Sequence, residues 1–418
     1  MADTESKVTR LSQVELEEVL LRHEAFRGGR ANGARAKLAH MDLSNLIFRA
    51  RDLSHADFTG SILVESDFEN AKLDYAVLYA CDLREANFKN ASLLRADLRG
   101  ACLRGAMMTG ANLVGADLRE GSFATYDPDK GLSFISDNEA WAEGVGGVDM
   151  RGANLGSAKL SGAVAINSNF EDANLSKSVI IKGNLSGANL AGANLTGADL
   201  SQCELKNVNL RGANLSGTLM DFSNLQNVDM TGALTETPTG PTTETLPVKI
   251  EDMLKIHQIW ILTQGKEGQQ LNLGGFDLRG SSIFKGANLT MMMGEKAIWY
   301  GLDLSGTAFQ AARVGYGDFR HCNFAGADLR GTSFTGGNMV GCKFARARLD
   351  PLVFEGDRNL RTNFMKANLR YADFRDAIMR NVDFSGADLS FSNFTGAETK
   401  GCDFTKANLH EARFDRPS

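Results

Sequence analysis

Apolar residues recur at every fifth position along most of this 418-residue chain, and a small residue lies two positions before each of them. Residues 188–200 read Ala-Asn-Leu-Ala-Gly-Ala-Asn-Leu-Thr-Gly-Ala-Asp-Leu and show the pattern without interruption. A helix repeats every 3.6 residues and a strand every 2, so neither accounts for a period of five. A short repeat of fixed length is typical of a solenoid, in which the chain winds into stacked coils.

The repeat falls into three blocks of about 17, 17 and 27 quintets. The central apolar positions run in steps of five over 43–123 in the first block and over 150–230 in the second. The third block starts at Leu278, slips by one residue and continues over 284–414. Three central positions hold residues that fit the pattern poorly: Ala165, Gly294 and Asn359.

Alternation along an extended chain predicts which side chains face inward. The central apolar residue and the small residue two positions before it point toward the axis, whereas Asp97 and Arg99, on either side of Leu98, point toward water. Glycine at the last position of many quintets, such as Gly100, suits a corner that needs unusual backbone angles. The sequence therefore predicts an apolar interior, a polar exterior and sharp corners.

These quintets resemble the pentapeptide-repeat family, whose consensus is Ala-Asp/Asn-Leu-x-x, over all three blocks. The resemblance implies an all-β solenoid, a right-handed quadrilateral β-helix with four quintets to a coil and one quintet to each side. Positions twenty residues apart then share a face, so Arg99 and Arg119 should stack beside Asp97 and Asp117. Alternating charges of this kind are typical of a solvated, self-compensating surface.

Two segments outside the repeat predict short capping α-helices. Residues 11–27 contain a capping box at Ser12 and Glu15, followed by apolar residues at helical spacing. Residues 248–262 have the same spacing, and the two segments align so that His23 matches His257. Because the open end of a solenoid exposes stacked apolar residues, each helix is expected to cover the start of a solenoid. A paired ligand role for the two histidines is the less favoured interpretation.

The remaining segments set the predicted domain organisation. A Thr- and Pro-rich stretch predicts a flexible linker. The predicted parts are an N-terminal segment with its helix (1–40), repeat block one (41–123), an insert (124–147), repeat block two (148–233), the linker (234–247), the second helix and turn (248–275), and repeat block three (276–418).

The insert at 124–147 is the first candidate for a recognition element, because loops on rigid scaffolds often carry function. Its candidate interaction residues are Tyr126, Phe134 and Trp141. Two organisations are open: a loop that leaves a continuing solenoid, or a break between two short ones. A purely structural packing role for the insert is an equally good interpretation.

The last coil has no helix after it in the sequence, so its apolar end face is expected to meet solvent. Exposing that face is unfavourable by about 25 cal/mol per Å². The sequence therefore predicts a homodimer with two-fold symmetry, formed tail to tail through a face that includes Leu409 and Phe414.

Composition narrows the function further. A net charge of −6 argues against a dedicated nucleic-acid-binding protein. No apolar run is long enough to span a membrane, and residues 1–7 lack the apolar core of a signal peptide, so a cytoplasmic location is expected. Five cysteines occupy the small inward position and are expected to be buried free thiols, although a disulfide between Cys322 and Cys342 is conceivable.

The sequence contains no recognisable catalytic constellation. Its six histidines form no metal-spaced cluster, and its glycines follow the five-residue period rather than a phosphate-binding fingerprint. No enzymatic activity, cofactor or metal site is therefore expected, and a scaffold that binds an unknown protein partner is the favoured function. The alternative is a DNA mimic that binds a type II topoisomerase (gyrase), as similar quinolone-resistance pentapeptide proteins do. A secreted effector that attaches to membranes or motors is a third, weaker interpretation.

Overall fold

A computed structural model describes residues 8–119, 147–354 and 359–415, together with the backbone of two strands, Phe123–Asp127 and Gly131–Ile135. The chain divides into two compact units, Met1–Thr237 and Pro238–Ser418. They are called the first and the second solenoid below, and each has its own hydrophobic core.

Parallel backbone pairing at a spacing of twenty residues defines the coil. Asn174 pairs with Asn194, and Asn194 pairs in turn with Asn214. Between coils, the N–H of Leu190 donates to the carbonyl of Asn209 at 2.7 Å. Four quintets therefore complete one turn, and each quintet pairs with the quintets twenty residues before and after it.

The inward assignment from the sequence agrees with the observed burial. The central residues of the inner coils are 0–2% exposed over long runs, and so are most of the small residues two positions before them. In the second solenoid, phenylalanines stack through the interior: Phe344 lies parallel to Phe374 with ring centroids 4.7 Å apart. Close parallel stacking adds to the free energy gained by burying the rings.

The corners adopt positive φ angles at the last position of each quintet. Gly100 has φ 67°, and Ala50 and Asn45 adopt φ 58° and 63° although they carry a Cβ. Neighbouring coils share this bend, so the stacked corners hold the non-glycine residues in a conformation that costs about 1–2 kcal/mol in isolation.

Each solenoid begins with a helix. Helix α1 spans Gln13–Arg27, and helix α2 spans Ile250–Leu262. Strand β1, Thr9–Arg10, precedes α1 and pairs in parallel with strand β2, Met41–Asp42. A single 3₁₀ turn at Thr243–Thr245 lies before α2.

The coils begin one quintet earlier than the sequence predicted in both solenoids. The N–H of Leu38 already donates to the carbonyl of Asp57, and that of Leu273 to the carbonyl of Met293. Leu38 and Leu273 are fully buried, so they are the first central residues, in place of Leu43 and Leu278.

The first solenoid continues across the insert. Met107 pairs with Asp149, 42 positions later, and Asn112 and Asp117 pair with partners at the same offset. The insert thus adds 22 residues to one coil and leaves the ladder in register. Its strands β3, Phe123–Asp127, and β4, Gly131–Ile135, form an antiparallel hairpin. Of the two organisations left open by the sequence, the structure shows the loop that leaves a continuing solenoid.

A second, shorter insert interrupts the second solenoid. Strands β5, Leu352–Val353, and β6, Asn359–Leu360, pair antiparallel, and Ser333 pairs with Asn363, thirty positions later. The assignment of Asn359 to a central inward position was wrong, since it lies in this hairpin and is exposed.

The predicted linker is divided between the two solenoids. Leu234 pairs with Asn214 in the first solenoid, whereas Thr242 pairs with Asp277 in the second. The carbonyl of Pro241 also accepts the N–H of Asp277 at 2.8 Å. The stretch outside both ladders is therefore much shorter than the 234–247 segment predicted from composition.

Candidate interaction surfaces

Two of the three predicted recognition residues of the long insert, Tyr126 and Phe134, lie in its hairpin. The register pairs Tyr126 with Leu132 and Phe134 with Ala124. The side chains of Tyr126 and Phe134, and all of Trp141, lie outside the described residues. The backbones of Tyr126 and Phe134 thus belong to an antiparallel hairpin on one coil of a continuous ladder.

The second hairpin, which was not predicted from the sequence, presents apolar side chains to solvent. Val353, Phe354 and Leu360 are 71%, 47% and 41% exposed. The hairpin is seated on a corner of the solenoid, because a Cβ at Gly331 would lie 3.1 Å from Leu360 and 3.2 Å from Leu352. An Asp-Pro step at its start was the available signal.

The last described coil of the second solenoid exposes apolar side chains. Leu409 and Phe414 are 37% and 41% exposed, whereas their counterparts one coil earlier, Leu389 and Phe394, are 0% and 1% exposed. Phe414 stacks on Phe394 with ring centroids 4.6 Å apart. The two predicted dimer-face residues therefore lie together on the last described coil.

Many outward charges of the regular coils are paired within single quintets, and others, such as Arg49 with Asp67, are paired between coils. Arg99 contacts Asp97 through two nitrogens, at 2.8 and 2.7 Å, and Arg119 contacts Asp117 in the same way at 2.9 and 2.7 Å. The hydrogen bond and the charge of Asp97 raise the pKa of Arg99. The backbones of Asp97 and Asp117 pair between coils. The expected row of alternating positive and negative side chains is therefore present. Bidentate pairs of this kind hold both charges in a fixed geometry.

Neutral amide rows follow further along the first solenoid. The side chain of Asn174 donates to that of Asn154 at 2.9 Å, and Asn194 donates to Asn174 at 3.1 Å. A parallel row runs through Asn189 and Asn209. These faces present fixed dipoles with little net charge.

The two starting helices carry equivalent histidines, as the aligned segments predicted. His23 and His257 are both 0% exposed. The Nδ1 of His23 accepts the N–H of Ala36 at 3.0 Å, and that of His257 accepts the N–H of Leu271, also at 3.0 Å. Each histidine therefore ties its helix to the turn that enters the first coil.

The cysteines are unbridged, and the inward ones serve as buried donors. The thiols of Cys322 and Cys342 donate to the carbonyls of Trp299 and Phe319 at 3.0 and 2.8 Å. Burial raises the pKa of Cys81 to about 12. Within the described residues, no group of three or more His, Cys, Asp or Glu side chains could hold a metal ion.

A family comparison identifies the repeat. The model for pentapeptide repeats matches in eight copies that cover more than half of the chain: residues 52–90, 81–120, 147–180, 184–221, 198–234, 318–350, 360–381 and 383–416. The chain belongs to the pentapeptide-repeat family. Membership implies the right-handed winding expected of its coils.

Several solved structures are similar to this pentapeptide-repeat protein. QnrB1, a plasmid-mediated fluoroquinolone resistance protein, is 22% identical over 48% of this chain and 84% of its own, with a TM-score of 0.19. HetL, involved in heterocyst differentiation regulation in the cyanobacterium Nostoc sp. strain PCC 7120, is 19% identical over 94% of both chains (TM-score 0.15). Rfr23 from the cyanobacterium Cyanothece 51142 is 29% identical over 31% of this chain and 86% of its own (TM-score 0.19). No curated protein matches the chain.

The two solenoids of this pentapeptide-repeat protein differ in charge. The first, residues 1–237, contains 31 acidic and 23 basic side chains, whereas the second, 238–418, contains 20 and 22. The excess of negative charge thus belongs to the first solenoid. None of the described helices is both long and apolar enough to cross a membrane.

Proposed function

We propose that this protein is a non-enzymatic scaffold that binds another protein, and that the insert at 124–147 is its recognition element. The observation that carries the proposal is the unbroken register across the insert, with Met107 paired to Asp149 and Asp117 to Lys159. A ladder that closes on both sides of an insert gives it a rigid base. Many of the charges and amides of the coils are already paired within the protein, so they are less available than the insert for contacts with a partner.

The candidate contact residues within the insert are Tyr126, Phe134 and Trp141. Aromatic residues are enriched at binding hot spots because they bury a large area at a small entropic cost. The partner is proposed to be a protein rather than nucleic acid, since the described arginines of the regular coils include many already paired with aspartate, such as Arg99 and Arg119.

The experiment is quantitative affinity capture from cognate cells with three chains. One is the full chain, one lacks residues 122–143, which removes the 22 residues added to that coil, and the control lacks residues 350–359 of the second insert. Both deletions return the ladder to twenty residues per coil. A partner lost only with the first deletion supports the proposal. A partner retained by that variant, and any partner lost only with the control deletion, would contradict it.

A topoisomerase-binding DNA mimic is the second candidate, and the acidic excess of the first solenoid favours it. The bidentate pairs at Asp97 and Asp117 count against it because they break up a negative stripe. A gyrase supercoiling assay distinguishes the two candidates. Inhibition of gyrase, or its protection from a quinolone, would support mimicry if the effect is lost at high salt. No effect at a tenfold molar excess would exclude it.

The protein is further proposed to form a homodimer through the last coil. Leu409→Asp with Phe414→Asp should shift the molecular mass seen by light scattering from dimer to monomer, because two charges would then lie in the apolar contact. Thr405→Asp, an outward substitution on the same coil, is the control. A monomeric wild-type chain would end the proposal.

A cytoplasmic location is also proposed, because six unbridged cysteines suit a reducing compartment. Fractionation of cognate cells, with alkylation of thiols at lysis, tests it. Recovery in a membrane or extracellular fraction would contradict it.

A further inference from the structure

The two starting helices are held by the same device. In each, a histidine side chain on the helix accepts a backbone N–H from the turn that leads into the first coil: Ala36 for His23 and Leu271 for His257. An acceptor at Nδ1 carries no proton there, so both neutral rings have their proton on Nε2. The contact therefore exists only while the imidazole is uncharged.

Packing around each ring leaves it little freedom. His23 stacks on Phe26 at 6.0 Å, and His257 stacks on Trp260 at 5.8 Å. The entering turn presses on the helix through a glycine, since a Cβ at Gly33 would collide with the backbone of Phe26. Gly268 has the same relation to the second helix. This close approach presents the N–H to the ring.

The surroundings of both rings favour the neutral form. Burial lowers the pKa of His23; the backbone of Ser54 and the carboxylate of Asp52 act in the opposite direction, and Arg27 and Arg35 lower the pKa further. Burial also lowers the pKa of His257, opposed only by the backbone of Thr290. The backbone groups of Ser54 and Thr290 favour the charged rings. Among the described residues, however, neither Nε2 makes a well-formed hydrogen bond.

Other charged groups join α1 to the first coil. Arg51 contacts Glu17 and Glu24, and Arg27 contacts Asp52. These ion pairs hold α1 through charge, whereas the contacts made by His23 and His257 require an uncharged ring.

We propose that His23 and His257 make the two starting helices acid-labile, so that protonation at Nδ1 releases each helix from its first coil while the coils stay wound. The charged ring cannot accept the N–H of residue 36 or 271, and its charge would be buried away from water. Release would uncover the first coil, whose central residues are Leu38 and Leu273.

Linkage sets the direction and size of the effect. A released histidine has a pKa near 6.5, whereas the pKa of the docked ring is lower. Docking is therefore fully favoured above about pH 6.5 and weakens as the pH falls below it, because the released state binds one more proton. The equilibrium constant for release should rise up to about tenfold per pH unit in that window.

Hydrogen exchange of the full chain, read by mass spectrometry from pH 7.5 to 5.0 and corrected for intrinsic rates, tests the proposal. Protection of residues 13–27 and 250–262 should fall by up to about tenfold per pH unit, while the coils over 170–215 stay protected. His257→Gln keeps an oxygen acceptor but cannot titrate. It should flatten the profile of 250–262 and leave that of 13–27 unchanged, and His23→Gln should do the reverse.

Two results would overturn the proposal: wild-type helix protection that does not depend on pH, or a slope that persists at the substituted helix in both variants. If a glutamine variant fails to fold, ¹⁵N spectra of histidine-labelled wild-type protein decide instead. A proton on Nε2 of both buried rings at pH 7.5, lost in favour of the doubly protonated ring as the helices open, supports the mechanism. A proton on Nδ1 at pH 7.5 excludes it.

Discussion

The small inward position accepts polar residues because the previous coil supplies a partner. The hydroxyl of Thr332 donates to the carbonyl of Phe309 at 2.7 Å, and the thiol of Cys342 donates to that of Phe319. Both carbonyls lie 23 residues back. A buried donor that is satisfied in this way avoids the cost of about 1–3 kcal/mol for an unpaired one.

One poorly fitting central residue, Gly294, is explained by its neighbours. A Cβ at Gly294 would lie 2.9 Å from Met292 and 3.3 Å from the ring of Trp299, so the large indole fills the space that glycine leaves. The sequence predicted which positions face inward. It could not predict that a large residue at one position compensates for a small residue at another, because that depends on which side chains meet in the interior.

Overpacking should separate inward from outward alanines within one coil. Ala193 is fully buried, so Ala193→Leu is expected to cost about 1–3 kcal/mol. Ala191, two residues earlier, is half-buried on the outside, and Ala191→Leu should change stability by less than about 0.5 kcal/mol. Thermal unfolding of both variants measures the difference. Equal shifts would mean that the inward and outward assignment is mistaken.

The helices were predictable because their signals are local. The capping box is present as expected: Ser12 Oγ accepts the N–H of Glu15, and the Glu15 side chain accepts the N–H of Ser12. Strand β1 was missed, since two residues, Thr9 and Arg10, are too few to show a pattern. Its pairing with Met41–Asp42 depends on the coil beside it rather than on its own sequence.

The hairpins show why one insert was visible and the other was not. The first adds 22 residues, which is not a multiple of five, so it shifts the phase of the repeat. The second adds ten residues, which preserves the phase, so Phe354 and Asn359 still fell at central positions although Asn359 fits the pattern poorly. Periodicity alone cannot detect an insertion of whole repeats.

The N-terminal caps of the two helices differ, and substitutions can add a cap to one helix or remove it from the other. The N-cap residue of helix α2 is Lys249, whose side chain makes no capping hydrogen bond. Lys249→Ser should therefore stabilise α2 by about 1 kcal/mol, and Ser12→Ala should destabilise α1 by a similar amount. Hydrogen exchange at neutral pH reads each helix separately. Lys249→Ala is the control, and an equal gain from alanine would show that removing the lysine, rather than adding a cap, is responsible.

Removing the second hairpin should leave a regular coil. Deletion of residues 350–359 leaves Leu349 five positions before Phe364, so the ladder returns to twenty residues and stability should change by less than about 1 kcal/mol. Deletion of residues 350–361 leaves only three positions, too few for one side of the coil, and should unfold the surrounding coils. Chemical denaturation compares the two. Similar losses would mean that the hairpin is part of the core.

At the scale of the whole chain, the two hydrophobic cores share no residue, and in a solenoid each coil gains its stability from its neighbours. Two calorimetric transitions are therefore expected. Ala193→Leu, in the first solenoid, should lower only one of them, and Ala367→Leu, at an equivalent buried position in the second, should lower only the other. Each variant is the control for its counterpart. A single transition that both substitutions lower would show that the two solenoids unfold as one cooperative unit.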